Sequence, residues 1–357
     1  MDFASSNLVD RIVGGWKVIK KIENNDITTR YSIFYQVEKN GERAIMKVID
    51  NEKCYTAYIG EMTRNELISR ETTSFHYETM LAKACVGRHM GNVIRYLDSG
   101  EEELDGFVIR TITYIVYEQS DGKIEDFLTF SSKADFVVDL KMLIEKLKSL
   151  HQVAKGIRQL HTNFIAHHNI TPQSVEFFGS KGTFKLTGLH TSRSQQENLQ
   201  SPEHFRLFNG DLTFAPPEAF FAYKISDEMI SYYQIDTYML GNLIVYYLTS
   251  LNMTTLLNRK LPYSLKEMAS RDANYTAILP EIINAFNDVL VELRICICEK
   301  DLQQPIIEMI ECLCNPDPDR RGYPGGFKTA RANADLQRII TRLDVLYKKA
   351  KFLLSKK

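Results

Sequence analysis

From Trp16 to about Glu118 the pattern of apolar and polar positions is mostly strand-like, in short β-type runs rich in β-branched and aromatic residues. Trp16-Lys17-Val18-Ile19-Lys20-Lys21-Ile22 is one such run. Residues 31–37 and 44–49 are two more, and the turn Lys39-Asn40-Gly41-Glu42 between them predicts an antiparallel hairpin. Further strands are expected near 93–99 and 107–117, with the acidic stretch Glu101-Glu102-Glu103-Leu104-Asp105-Gly106 as the turn before the second. One helix, at about 64–85, is expected among these strands.

After Asp121-Gly122 the period changes to that of helices. Over 139–162, Leu140, Leu143, Ile144, Leu147, His151, Ala154, Ile157, Arg158 and Leu160 recur near 3.6-residue spacing. More helices are expected at 227–250, 279–299 and 304–314. A β-rich part followed by a larger helical part is an α+β architecture. At the end, 335–354 sets Leu336, Ile339, Ile340, Leu343, Leu346, Tyr347, Ala350, Leu353 and Leu354 on one helix face. Residues 328–357 hold nine basic residues against two acidic ones. This helix either packs on the helical part with its lysines in solvent or docks on an acidic surface.

Composition narrows the function classes. The 357 residues carry 44 Lys and Arg against 45 Asp and Glu, so no global charge calls for nucleic acid. No apolar run reaches the ~18 residues of a membrane span, and the longest, 238–251, is interrupted by Asn242. The acidic opening Met1-Asp2-Phe3-Ala4 does not read as a signal peptide. A cytoplasmic, reducing setting is expected, with Cys54, Cys85, Cys296, Cys298, Cys312 and Cys314 as free thiols. The Cys-x-Cys spacing within helical runs does not suit zinc, and buried structural thiols are expected.

The most informative stretch is His167-His168-Asn169-Ile170-Thr171-Pro172-Gln173-Ser174-Val175, followed by Leu186-Thr187-Gly188-Leu189-His190. It resembles the catalytic and metal-binding loops of protein kinases, His-Arg-Asp-Leu-Lys-Pro-x-Asn and Asp-Phe-Gly. Asn169 stands at the catalytic Asp position, Thr171 at the Lys, Ser174 at the metal-binding Asn and Gly188 at the metal-binding Asp. The chain thus resembles a degenerate member of the protein kinase-like superfamily, a pseudokinase. Gly15-Trp16-Lys17-Val18 and Phe214-Ala215-Pro216-Pro217-Glu218 look most like bacterial kinase-like proteins.

Other stretches fit the resemblance. Ala44-Ile45-Met46-Lys47 is similar to the third-strand element, which makes Lys47 a nucleotide-binding candidate, with Glu78, or else Glu71, as its helix partner. The phosphate-covering loop would fall in 23–30, which has no glycine and carries Glu23 and Asp26. Tyr117 would be the gatekeeper and Gln119-Ser120-Asp121-Gly122 the hinge. His167 would pack structurally, whereas His168 replaces the Arg that reads a phosphorylated activation segment. Glu218 and Arg321, of Asp317-Pro318-Asp319-Arg320-Arg321, would form a buried ion pair. Asp236, of Asp236-Thr237-Tyr238-Met239-Leu240-Gly241, would brace the catalytic loop.

The resemblance implies a two-lobed kinase-like fold, with a small antiparallel β lobe bearing one main helix and a larger helical lobe. Residues 1–13 would be an N-terminal extension, 14–118 the small lobe, 119–325 the large lobe and 326–357 the basic C-terminal helix. It implies no phosphoryl transfer, no metal and no obligatory cofactor. The protein would be a scaffold or allosteric regulator for a protein partner, such as an active kinase or another enzyme, through the activation segment at about 188–218 and the basic tail. Two alternatives stand beside this. One is a metal-independent nucleotide switch holding ATP through Lys47 and Glu78. The other is a kinase-fold enzyme of different transfer chemistry, with Glu203 and Asp211 as substitute carboxylates in place of solvated loop charges. The histidines His161, His167, His168 and His190 are expected to serve packing and hydrogen bonding, and no metal.

Overall fold

The computed structural model describes every residue except 1–2, 24–26, 58–59, 61, 125–139, 180–181, 206–207, 222, 224–226, 263–273, 298, 323–334 and 357. The chain divides into two compact units, residues 1–121 with 196–205, and residues 122–195 with 206–357. The architecture is mixed α+β.

Unit 1 is built on a six-stranded antiparallel sheet in the order β1-β2-β3-β4-β6-β5. The strands are β1 (Ile12–Val13), β2 (Trp16–Ile22), β3 (Ser32–Lys39), β4 (Glu42–Ile49), β5 (Tyr96–Glu103) and β6 (Thr111–Glu118). Asn40 and Gly41 both take positive φ, 52° and 79°, the two-residue turn whose twist matches a hairpin. That turn sets the register of β3 on β4, so Ile33, Tyr35 and Val37 meet Val48, Met46 and Ala44 on one face. With Val18, Ile112, Tyr114 and Val116 they form a core cluster. The opposite face receives α2 (Arg64–Gly87), which begins at a capping box between Thr63 and Glu66.

Several expectations for this unit need correction. The stretch before β2, expected as an extension, packs within unit 1 from Phe3 on: Ala4, Leu8 and Val13 are buried in the core cluster, and the Tyr35 hydroxyl donates to the Ser5 carbonyl at 2.8 Å. Strand β5 starts three residues later than expected and takes in Glu101, Glu102 and Glu103, where the sequence predicts a turn. It is an edge strand, where charged side chains reach solvent and hinder further strand pairing. A short helix, α1 (Asn51–Thr56), went unseen because six residues are too few to show a period; Asp50 caps it by accepting from the Lys53 amide.

Unit 2 holds small antiparallel sheets and most of the helices. Strands β7 (Gly122–Lys123), β9 (Val175–Phe178) and β10 (Thr183–Leu186) form one sheet, and β8 (Ile165–Ala166) pairs with β11 (Arg193–Ser194). The helices are α3 (Leu140–His161), α4 (Glu228–Thr249), α5 (Met253–Lys260), α6 (Tyr275–Ile295), α7 (Lys300–Leu313) and α8 (Gln337–Ser355). Helix α4 is buried along nearly its whole length, and α8 lies along α3. The final helix is therefore an integral part of unit 2. Helix α6 begins earlier than expected, at the Asn274 cap, and ends at Ile295. Cys314 is buried, but Cys296 and Cys312 are half-exposed and do not fit the expected buried thiols; Cys298 lies outside the described residues. Among the described residues no helix is long and apolar enough to cross a membrane.

Candidate functional site

In unit 1 the strand period decides which side chains meet α2. Lys47 pairs with Ile115 across β4 and β6, and Ile45 pairs with Tyr117, so Lys47 and Tyr117 share the face opposite the core cluster. Both are buried, as is Glu78 on α2. The Lys47 ammonium donates to Glu78 Oε2 at 2.5 Å, and the Tyr117 hydroxyl donates to Glu78 Oε1 at 2.9 Å. Lys47 also lies 5.6 Å from the Phe75 ring centroid. Burial, with the Glu78 charge, holds the Tyr117 phenol far above its usual pKa, so it remains a donor. Glu71, the other candidate partner, lies two turns earlier on α2; burial raises its carboxyl pKa despite Arg70, Lys47 and Arg30 nearby. The glycine-free loop at 23–30 is described only in part, because 24–26 lie outside the described residues.

In unit 2 a buried carboxylate organises the loop. Asp236 Oδ2 accepts from the His167 amide at 2.7 Å and faces His161 Nε2 at 2.8 Å. Its Oδ1 accepts from the His168 amide at 2.8 Å. Burial pushes the Asp236 carboxyl pKa up, but the His161 hydrogen bond and the surrounding histidines outweigh it and the net direction is down. His167 Nε2 faces the Thr187 carbonyl at 2.9 Å, and the Asn169 amide donates to His167 Nδ1 at 3.2 Å. A carbonyl can only accept, so the proton sits on Nε2 and the ring is neutral. Burial lowers the His167 pKa in agreement.

Of the four substituted positions, Asn169 and Ser174 use their side chains locally. Asn169 is buried, and its side-chain oxygen accepts from the Asp211 amide at 3.0 Å. Asp211 in turn caps the short turn Leu212–Phe214 by accepting from the Thr213 amide at 2.9 Å. Ser174 donates to the Thr171 carbonyl at 2.9 Å and accepts from the Thr171 amide at 3.0 Å, so one hydroxyl closes a single turn in both directions. Gly188 adopts φ +85°, which favours a residue without Cβ, and opens the turn Leu189–Thr191. Glu203, the other suggested carboxylate, is exposed in the part of the segment that belongs to unit 1.

Two features hold the chain beyond this loop. Arg321, fully buried, binds Glu218 through two parallel contacts of 2.5 and 2.8 Å and donates to the Asn315 and Gln234 carbonyls. Asn242, the polar interruption of the apolar run, donates to the Phe214 carbonyl at 3.1 Å from inside α4. Thr254 of α5 donates to the Ala215 carbonyl at 2.8 Å. A lone Asn within an apolar helix was the available sign of this anchor.

Sequence reasoning missed the placing of 196–205. This strap leaves and rejoins unit 2 but packs on α2 within unit 1. The Arg88 guanidinium donates to Gln196 Oε1 at 2.8 Å, and the Tyr77 and Ser201 hydroxyls are 3.2 Å apart. The Ser74 hydroxyl meets His204 Nε2 at 2.9 Å, and Phe205 stands edge-on to Tyr77 with centroids 5.8 Å apart. No short pattern announces a contact over more than a hundred residues.

Among the described residues no group of three or more His, Cys, Asp or Glu side chains is placed to hold a metal ion. No protein-family model and no curated protein matches the chain.

Proposed function

We propose that the chain is a pseudokinase with a two-lobed kinase-like fold that works as a protein-binding scaffold or allosteric regulator. The observation that carries this reading is Asn169. Its side chain is an amide where the resembling loop needs a carboxylate base, and its oxygen is already committed to the Asp211 amide. The two positions that would hold magnesium do not fit the ion. Ser174 uses its hydroxyl on both sides of Thr171, and Gly188 offers no side chain. Residues that brace the backbone, Asp236, Glu218 and Arg321, keep full sets of partners, as a protein kept for its surface would require. The partner would be another protein, such as an active kinase or other enzyme, in a cytoplasmic setting.

One observation favours the metal-independent nucleotide switch as a second reading: the Lys47–Glu78 pair is intact. Thermal unfolding with ATP, with and without magnesium and EDTA, separates the two. A ligand at 100 times its Kd adds ~2.7 kcal/mol of native-state stability, a shift of several degrees in Tm. No shift in any condition supports the scaffold. A shift that survives EDTA supports the switch, and turnover of ATP to ADP removes both readings.

A further inference from the structure

Helix α8 divides its residues by face. Leu336, Ile339, Ile340, Leu343, Leu346 and Ala350 are buried, and the helix rests on α3 and α7. On the other side Val345, Lys348, Lys349, Phe352 and Lys356 follow at i, i+3, i+4, i+7 and i+11, which places them in one exposed stripe. Val345 and Phe352 are each 56% exposed. The Lys356 ammonium lies 4.4 Å from the Phe352 ring centroid, and Lys351, on the flank, lies 5.4 Å from that of Tyr347. Lys155 is exposed on α3, the helix against which α8 packs, and adds a further cation. The one acidic residue of the helix, Asp344, is paired with Lys348 at 2.6 Å, and the Lys349 ammonium also donates to the Asp301 carbonyl at 2.8 Å.

We propose that this stripe is a peripheral docking face for an anionic lipid bilayer. A basic helix face with a protruding aromatic ring is what an anionic interface attracts, since lysines remain at the headgroups while the ring enters the acyl boundary. A standard protein interface covers ~800 Å² per partner, whereas this stripe is one row of five side chains on a single helix. Bilayer attraction has no such threshold, because each lysine near the surface adds its own increment. The bulk of the chain does not compete as a basic body: the sequence carries a net charge of −1, so the positive charge is concentrated locally. The scaffold reading is carried by Asn169 and its loop, so this use of the basic tail can fail without it.

The test is co-sedimentation of the full chain with phosphatidylcholine vesicles, with and without about 30% phosphatidylglycerol. The chain should bind the anionic vesicles alone, more weakly as salt rises. Lys348→Glu/Lys351→Glu/Lys356→Glu should lower the partition on the order of 100-fold. Phe352→Ala should lower it several-fold and leave the salt dependence in place. Far-ultraviolet dichroism checks that the exposed substitutions keep the fold; should the triple variant unfold, Phe352→Ala and Lys356→Glu alone carry the test. No binding to the anionic vesicles, or equal binding by wild type and charge-reversed chain, overturns the proposal. Binding to polyglutamate without binding to vesicles also overturns it, in favour of an acidic polypeptide.

Discussion

Tyr117 donates its hydroxyl to Glu78 at 2.9 Å, on the carboxylate oxygen opposite the one that holds Lys47. The residue expected to narrow an adenine pocket is thus a member of the ion-pair network that ties α2 to the sheet. Two buried charges and a phenol satisfy one another there, and removing any one leaves the others exposed to the cost of burial.

Lys47→Met should therefore destabilise the protein by about 3–5 kcal/mol, because it leaves Glu78 buried without its cation. Tyr117→Phe should cost less, about 1.5–3 kcal/mol, the worth of a hydrogen bond to a charged acceptor. Lys47→Met/Glu78→Gln should recover most of the loss. Urea unfolding of the three variants checks the order, and a Lys47→Met protein as stable as wild type would show that the pair does not hold the unit.

The Glu218–Arg321 pair predicts a sharper result. Arg321→Lys should lose nearly as much stability as Arg321→Ala, about 3–5 kcal/mol, because an ammonium cannot reproduce two parallel contacts plus the Asn315 and Gln234 carbonyl bonds. Equilibrium denaturation measures both, and rescue by lysine would contradict the bidentate account.

Stability should fall on the acid side. Burial pushes the His168 pKa down from 6.5 to about 3, and neither ring nitrogen has a hydrogen-bond partner between Phe208 and Tyr232. Burial also lowers His167 and His151. The unfolded chain then binds more protons than the folded one. The contribution is complete above about pH 6.5 and is lost as pH drops toward the folded values, at up to ~1.4 kcal/mol per pH unit for His168. Asp236, held below its usual value, adds a loss in the same direction at lower pH. Urea midpoints at pH 7.5 and pH 5 test the slope, which His168→Phe should flatten.

The strap at 196–205 should loosen when Tyr77 is removed. Tyr77→Ala deletes both the contact to Ser201 and the edge-on packing of Phe205. Amide hydrogen exchange in 196–205 should rise several-fold or more, while exchange in β3 and β4 stays as it was. Unchanged exchange in the strap would show that other contacts hold it.

Gly241 predicts a packing defect. A Cβ there would lie 2.5 Å from Cys314 Sγ and 2.7 Å from Leu313 Cβ. Gly241→Ala should cost about 1–3 kcal/mol as α4 is forced away from the end of α7. Calorimetry gives the shift, and Gly241→Ala/Cys314→Ala should recover part of it.

The chain's local order was open to reading from its residues. Asn40-Gly41 announced the hairpin, and the 3.6-residue recurrence over 139–162 announced α3. The order of motifs named Lys47, Glu78, Asp236, Glu218 and Arg321 in advance, and each has a hydrogen-bond or ion-pair partner in the fold. Elements without a period were harder: α1 is too short, and β5 shows no alternation because nearly all of its residues are half-buried, on both faces alike.

Period and spacing are properties of neighbours along the chain, and by themselves they determined the α+β class, most helices and the hairpin. The tertiary structure alone decided which distant groups meet. It placed Tyr117 on Glu78, set Ala4, Leu8 and Val13 in the unit 1 core, laid 196–205 on α2 and turned the Asn169 side chain to the Asp211 amide. Such contacts depend on burial and on satisfying polar groups brought together from far apart in sequence, which no local pattern encodes.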